Sequence, residues 1–381
     1  MIDWTSERIL ALLEARAPEG QTLEFKSELP QQNDKARSDF LKDVSSLANA
    51  NGGTILYGIA EKSAQADRLA AMNLANVDAE IRRLSQMIES GIEPRVGGLK
   101  FTSLSMPDGD VLALDIPKSF DSPHRCLFNG HSKFVQRNGT YNSELTYDQL
   151  RSAFERTSNR VERLRAQWAH DLTLNDVWQP LVSGPICIVR LSPMLAAENT
   201  QVVDPKLAHK HWSQLIFPSW GGGSPIFNYE GLVATHGGQD GEKLGLVQVR
   251  RNGSISAYET AAGLISDEHI IPSRRVGDFI IAASRKLVDF AATLGLAGTS
   301  ILNVGLVRLD GYKFATREQY GFHSKRARNL DQILFPEFWI ENLQEPPDFD
   351  ELLRPGFDLL WQSYGWAECP EFNELGKWSS K

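Results

Sequence analysis

Cysteine is scarce in this chain. Cys126, Cys187 and Cys369 are its only three in 381 residues. They are far apart and odd in number, which excludes a disulfide framework and a zinc site built from clustered thiolates. Reduced, mostly buried thiols are expected. Long apolar runs are missing too: nothing approaches the roughly 18 consecutive apolar residues of a membrane-spanning helix, so no membrane partner is expected. The opening residues Met1-Ile-Asp-Trp-Thr-Ser-Glu-Arg lack the basic start and apolar core of a signal peptide, which points to a cytoplasmic location. A basic excess is also absent. With 40 Lys and Arg against 48 Asp and Glu, a net charge of −8 and a pI near 5.6, the surface is not uniformly basic, and any nucleic acid must be held by a local patch. No internal repeat or low-complexity tract is found, which excludes a repeat array.

What is present is enough apolar content, 41%, for real cores, in a chain longer than a usual single domain. Two domains of mixed α/β character are expected. Ile9, Leu12 and Leu13 behind Thr5 or Ser6 describe a short opening helix, and Thr22 to Lys26 reads as a strand. After a polar loop over Gln31 to Lys35, the residues Phe40, Leu41, Val44, Leu47 and Ala48 recur at helical spacing from Ala36 onward. Gly52-Gly53 ends that helix, because glycine accepts φ > 0 without steric penalty. Thr54 to Ile59 then reads as a buried strand with Glu61 at its C-terminal end. Val77, Ile81, Leu84 and Ile88 mark another helix and Leu112 to Ile116 another strand. Phe134 to Gly139 is a strand running into a tight turn, and Leu145 to Phe154 a closing helix.

Arg151, Arg156, Arg160, Arg163 and Arg165 against only Glu155 and Glu162 describe a basic connecting helix. The expected organisation is therefore a domain over 1–155, a connecting helix over 156–170 and a second α/β domain over 171–381. In the latter, Ile186 to Leu191 is a strand, and Asn252-Gly253 between Leu246–Arg250 and Ser254–Tyr258 is a strong hairpin signal. Val276 to Leu294 traces one face of a long helix from near Ser273, followed by a strand over Ile301 to Val307. Trp220-Gly-Gly-Gly-Ser lacks the Gly-Lys-Ser/Thr ending of a P-loop, which argues against an ATPase.

The residues with the most chemistry are Glu19, Glu24 and Glu61, set around the Gly52-Gly53 turn. Brought together, they suit a hard cation such as Mg²⁺ or Mn²⁺, which prefers carboxylate and water ligands and assists phosphoryl transfer. Lys26, two residues after Glu24 on a strand, points to the same face and can contact a scissile phosphate. Lys133 and Arg137 add positive charge for flanking phosphates, and Arg151 and Arg156 extend it along the connecting helix. His124 and His131 are lone histidines and not first choices as general base.

These motifs, in the order Glu19…Leu23-Glu24-Phe25-Lys26, Ala48-Asn-Ala-Asn-Gly52-Gly53…Gly58-Ile59, Pro123-His124 and Arg137-Asn138-Gly139-Thr140…Leu145-Thr146, resemble those of the Schlafen-type, or AlbA-like, domain, also called "divergent AAA". The resemblance covers about residues 1 to 155. It implies a metal-dependent endoribonuclease cutting structured RNA such as tRNA, with Glu19, Glu24 and Glu61 as metal ligands. The family usually has an Asp-Asp-like pair where this chain has Ala60-Glu61. The resemblance further implies a homodimer or larger assembly, since family nuclease cores pair two such lobes, and an antiviral defence effector whose second domain senses a protein or small-molecule trigger. The Ala60 departure favours the alternative, a nucleic-acid-binding transcriptional regulator without catalysis.

Overall fold

Thr5 starts the first helix by accepting the Arg8 amide on its hydroxyl at 3.3 Å, and Ser6–Glu14 (α1) follows with Ile9 fully buried. The computed structural model describes residues 3–379 apart from 176, 178, 199, 238–240, 262, 266–267, 319–320 and 327–329. Met1 and Ile2 of the N-terminal stretch read above lie outside the described residues. Among these residues there are seven α-helices, with strands in mixed and antiparallel sheets, so the protein is of the α/β class. The chain divides into two compact units, Met1–Asn159 and Arg160–Lys381.

The first unit continues with β1 (Leu23–Lys26), α2 (Asp34–Asn49), β2 (Gly52–Tyr57), β3 (Ile59–Lys62), β4 (Gln65–Leu69), α3 (Val77–Gly91), β5 (Ile92–Glu93), β6 (Lys100–Met106), β7 (Gly109–Pro117), β8 (Arg125–Phe128), β9 (His131–Asn138) and β10 (Tyr141–Glu144). One mixed sheet runs β1-β2-β7-β6, with β1 parallel to β2, and an antiparallel sheet runs β10-β9-β8-β5. The two-residue period of a strand splits its side chains between two cores. Ile55, Tyr57, Leu112 and Leu114 pack with Val44 and Leu47 of α2 and Leu84 and Ile88 of α3. Phe25, Leu56, Val111 and Ala113 pack on the other face with Trp4 and Ile9. Glu24 lies opposite Ile55 and Lys26 opposite Tyr57, so both side chains fall on the α2 side of the sheet.

Three local expectations shift. Asn33 accepts the Ala36 amide at 2.9 Å and starts α2 at Asp34, inside the stretch read as a polar loop. The strand expected over Thr54 to Ile59 is broken at Gly58, where φ is +93° and an added Cβ would stand 3.0 Å from the Asp110 carbonyl oxygen. The chain leaves the sheet there, and Glu61 rides on the β3–β4 hairpin, at a register shift between Ala60 and Glu61, instead of ending β2. The closing helix and the connecting helix are also one element, α4 (Tyr147–Asp171), and the unit boundary falls inside it.

The second unit adds β11 (Ile186–Pro193), α5 (Pro205–His211), β12 (Ser224–Phe227), β13 (Gly231–His236), β14 (Gly245–Arg250), β15 (Ile255–Thr260), β16 (Gly263–Ile265), β17 (Glu268–Pro272), α6 (Ser273–Thr293), β18 (Ser300–Val307), β19 (Lys313–Glu318), β20 (Gly321–Arg326), β21 (Gln332–Leu334), β22 (Phe338–Ile340) and α7 (Phe349–Ser363). An antiparallel sheet runs β12-β13-β14-β15-β11-β18-β21, with β22 also on β18. Val189, Leu191, Leu302 and Val304 pack on one face with Val276, Ile280 and Leu287 of α6 and Leu353 and Phe357 of α7. Ile188, Val233, Leu246 and Tyr258 pack on the other with Trp168 of α4. The β14–β15 hairpin turns at Asn252-Gly253, with Gly253 at φ +95°. Under this sheet, buried Asp171 accepts from Arg190 at 2.5 Å, Arg250 at 2.9 Å and Ser256 at 2.8 Å.

Candidate nucleic-acid site

Glu24 is only 6% exposed, so its charge needs partners. It has two. Arg137, reaching across from β9 and only 3% exposed, donates Nη1 to one carboxylate oxygen, and Lys26 Nζ lies 2.5 Å from the other. Arg137 is held in turn by Nε donating to the Gly139 and Gly20 carbonyls at 3.0 and 3.3 Å. Its Nη2 has no partner among the described residues. Lys26 also reaches Asp43 of α2 at 3.3 Å, and Asp43 accepts from Asn142 Nδ2 of β10 at 2.7 Å. Burial alone would lower the Lys26 pKa, but Asp43 and Glu24 outweigh it and hold the ammonium above its usual range. Burial, and then the Glu24 charge, push the Asp43 carboxyl up to about 6, against the pull of Lys26 and Asn142.

Glu19 stands beside this network. It accepts the Phe25 amide of β1 at 2.9 Å, and the chain around it is pinned by the Glu19 amide donating to Ala64 O at 2.8 Å in the β3–β4 turn. Glu61, on β3 just before that turn, is near enough for its charge to act on Glu19. Burial, then the charges of Glu61 and Glu24, raise the Glu19 pKa, while the Phe25 amide lowers it. Both oxygens of Glu24 are taken by Arg137 and Lys26, and no group of three His, Cys, Asp or Glu among the described residues is arranged to hold a metal.

The basic residues divide. Arg137 belongs to the buried network and is not a surface contact for a flanking phosphate. Lys133 pairs with Glu144 at 3.1 Å and Arg151 with Glu155 at 3.7 Å, both exposed, and Arg156 is exposed on α4. None of these three takes part in the Glu24 network. His124 is fully buried, with Nδ1 2.7 Å from Pro94 O, and burial drops its pKa to about 4. It is a neutral structural residue. Asn49, at the end of α2, fastens this region by donating to His124 O and Val135 O at 2.9 and 2.8 Å and accepting the His124 amide at 2.7 Å.

Asp43 and Asn142 were not singled out in the sequence. The available signal was that Asp43 interrupts the apolar face Phe40, Leu41, Val44, Leu47, where a charge implies a buried partner. Gly52 and Gly53 are structural. A Cβ on Gly52, at φ +73°, would stand 2.6 Å from Ile116 O, and one on Gly53 2.5 Å from Thr22 O. The Trp220-Gly-Gly-Gly loop leads into β12, and the Trp220 indole donates to Glu259 at 2.7 Å. All three cysteines are buried free thiols. Among the described residues no helix is long and apolar enough to cross a membrane.

Residues 19–146 match the family model described as Schlafen, AlbA_2. The match brings with it a nucleic-acid-related function. No curated protein matches the chain. Among solved structures, the DIP2311 protein from Corynebacterium diphtheriae is similar at 20% identity and a TM-score of 0.25, over 36% of this chain and 26% of that one. This chain thus spans about a quarter of that protein's length.

Proposed function

We propose, from the premise that residues 19–146 are a Schlafen, AlbA_2 domain, that this unit is a divalent-metal-dependent endoribonuclease cutting structured RNA such as tRNA. The observation that carries the reading is the meeting of the Glu19–Glu61 pair with the Lys26–Glu24–Arg137 network. It sets two neighbouring carboxylates beside a half-exposed cation within one small site. Glu19 and Glu61 are the donors for Mg²⁺ or Mn²⁺. The ion, when bound, supplies Lewis-acid polarisation of the phosphoryl group and an activated water. Lys26, whose side chain is 39% exposed, offsets charge on the phosphoryl oxygens. Glu24, fixed by Arg137, holds the Lys26 ammonium in place from behind.

Total tRNA incubated with Mn²⁺ tests this reading. Wild type cleaves, and Glu61→Gln loses on the order of a hundredfold in rate while keeping its fold, because Glu61 is exposed. Glu24→Ala also loses cleavage, but it is a weaker test since Glu24 is buried and paired. Cleavage that persists in Glu19→Gln/Glu61→Gln excludes the proposed site.

A second reading, a nucleic-acid-binding regulator without catalysis, is favoured by one observation: both Glu24 oxygens are already engaged by cations. Metal-independent RNA binding without cleavage by wild type selects it. In the nuclease reading the protein acts in the cytoplasm as a defence effector, and Arg160–Lys381 senses a protein or small-molecule trigger. The active form is a homodimer or larger assembly, and a monomer by light scattering at micromolar concentration removes that part.

A further inference from the structure

Beside the candidate site, between the end of β1 and the first turns of α2, lies a cleft of about 420 Å³. Lys26 and Asp43 of the buried network line it, Leu29 and Phe40 give it an apolar wall, and Lys35 and Asp39 stand at its polar part. We infer that this cleft seats a single nucleotide unit of the RNA, adjoining the phosphodiester held at Lys26. The inference rests on the phosphodiester reading above and extends it to a substrate subsite that none of the expected site residues except Lys26 describes.

Three features set the class of ligand. The volume falls within the roughly 300–1,000 Å³ of small-molecule sites. The lining carries three acids, Glu28, Asp39 and Asp43, against two bases, Lys26 and Lys35, with Asp43 3.3 Å from Lys26 and Asp39 3.1 Å from Lys42 outside the lining. A triphosphate or other polyanion would meet Glu28, Asp39 and Asp43 without enough positive charge. One phosphate can meet Lys26 or Lys35, while Asp39 and the remaining hydrogen-bonding capacity of Gln31, whose amide already joins Glu28 at 3.1 Å and Asn33 at 3.2 Å, face the hydroxyl and amino groups of a nucleoside. Leu29, half-buried against the core residue Phe40, offers the apolar contact for the base.

The same chemistry is offered by a free mononucleotide and by a nucleotide within an RNA strand, so both serve as probes. Calorimetric titration of the full chain uses AMP, adenosine and a tetraribonucleotide. Ala36→Trp fills the cleft from the first turn of α2, where Ala36 is half-buried and outside both the Glu24 network and the Glu19–Glu61 pair. Wild type is expected to bind AMP and the tetranucleotide, and Ala36→Trp to weaken both at least tenfold with an unchanged circular dichroism spectrum. Lys35→Glu, at an exposed side chain with no packing role, keeps the test open if the tryptophan disturbs folding. It should weaken AMP several-fold and leave adenosine unaffected.

Affinities for AMP and tetranucleotide within twofold of wild type in both variants overturn the subsite, as does a wild type that binds neither probe. Binding of AMP alone, without the tetranucleotide, overturns the RNA assignment in favour of a free nucleotide. The two readings fail separately. A wild type that never cleaves tRNA but loses both probes in Ala36→Trp keeps the subsite and removes the nuclease. Intact cleavage with probe affinities unmoved by either variant does the reverse.

Discussion

At the residue scale, Glu24 and Arg137 form a pair in which each justifies the burial of the other. A buried charge that loses its partner is left desolvated and uncompensated, and such losses typically amount to about 3–5 kcal/mol. Arg137→Ala should therefore lower unfolding stability by about that much in urea denaturation. Glu61→Gln, on an exposed side chain, should leave it within about 0.5 kcal/mol. Equal effects of the two substitutions would contradict the division between a structural pin and a chemical group. Asp43 gives a second, pH-dependent test. Its carboxyl titrates near 3.8 ordinarily and near 6 in the fold. Between those values the folded protein holds a proton that the unfolded chain has released. The Asp43 contribution to stability is thus complete below about pH 4, declines as pH rises and is lost above about pH 6. Denaturation of wild type and Asp43→Asn at several pH values from 4 to 7 should show wild type losing ground to the variant as pH rises, and a trend of opposite sign would rule out a raised Asp43.

At the element scale, tight passages of backbone fix where the site residues stand. Gly52 combines φ +73° with an approach that leaves a Cβ 2.5 Å from the Lys118 nitrogen and 2.6 Å from Ile116 O. Backbone strain at such a position costs about 1–3 kcal/mol, and the overlap adds to it. Gly52→Ala should lower the urea midpoint by more than Gly139→Ala, because Gly139, although at φ +65°, has open space around its Cβ position. Equal midpoints would mean that the β2–β7 approach relaxes freely.

This difference also explains what the sequence made legible. Elements signalled by local period, such as α2, α3, α6, β7, β11 and the Asn252-Gly253 hairpin, are readable because the pattern lies within the element itself. The Glu24–Arg137 pair spans 113 residues and the Asp43–Asn142 bond 99, so nothing in the short-range pattern reveals that Arg137 is buried or that Asp43 has a partner. The Gly58 break hides inside an apolar run that reads as one strand. α7 was missed for a related reason: Pro355 within Phe349–Ser363 suppresses a helical reading that packing of Leu353, Phe357, Leu360 and Trp361 enforces.

At the scale of the whole molecule, a net charge of −8 sets the expected character of nucleic-acid binding. Each phosphate neutralised by a cation releases counterions and adds about 0.7 to 0.9 to the slope of log affinity against log salt. A uniformly basic binder gathers many such contacts. Here the exposed candidates are few, and Lys133 and Arg151 already face Glu144 and Glu155. Equilibrium binding of tRNA across a salt series should therefore give a shallow slope, about two to three in magnitude. Arg156→Ala should reduce it by about one and weaken all RNA sequences alike. A slope near ten would require a basic surface that a chain with eight more acidic than basic residues must concentrate elsewhere. An unchanged slope in Arg156→Ala would remove α4 from the RNA contact and leave Lys26 and the neighbouring cleft as the place where this chain meets its phosphates.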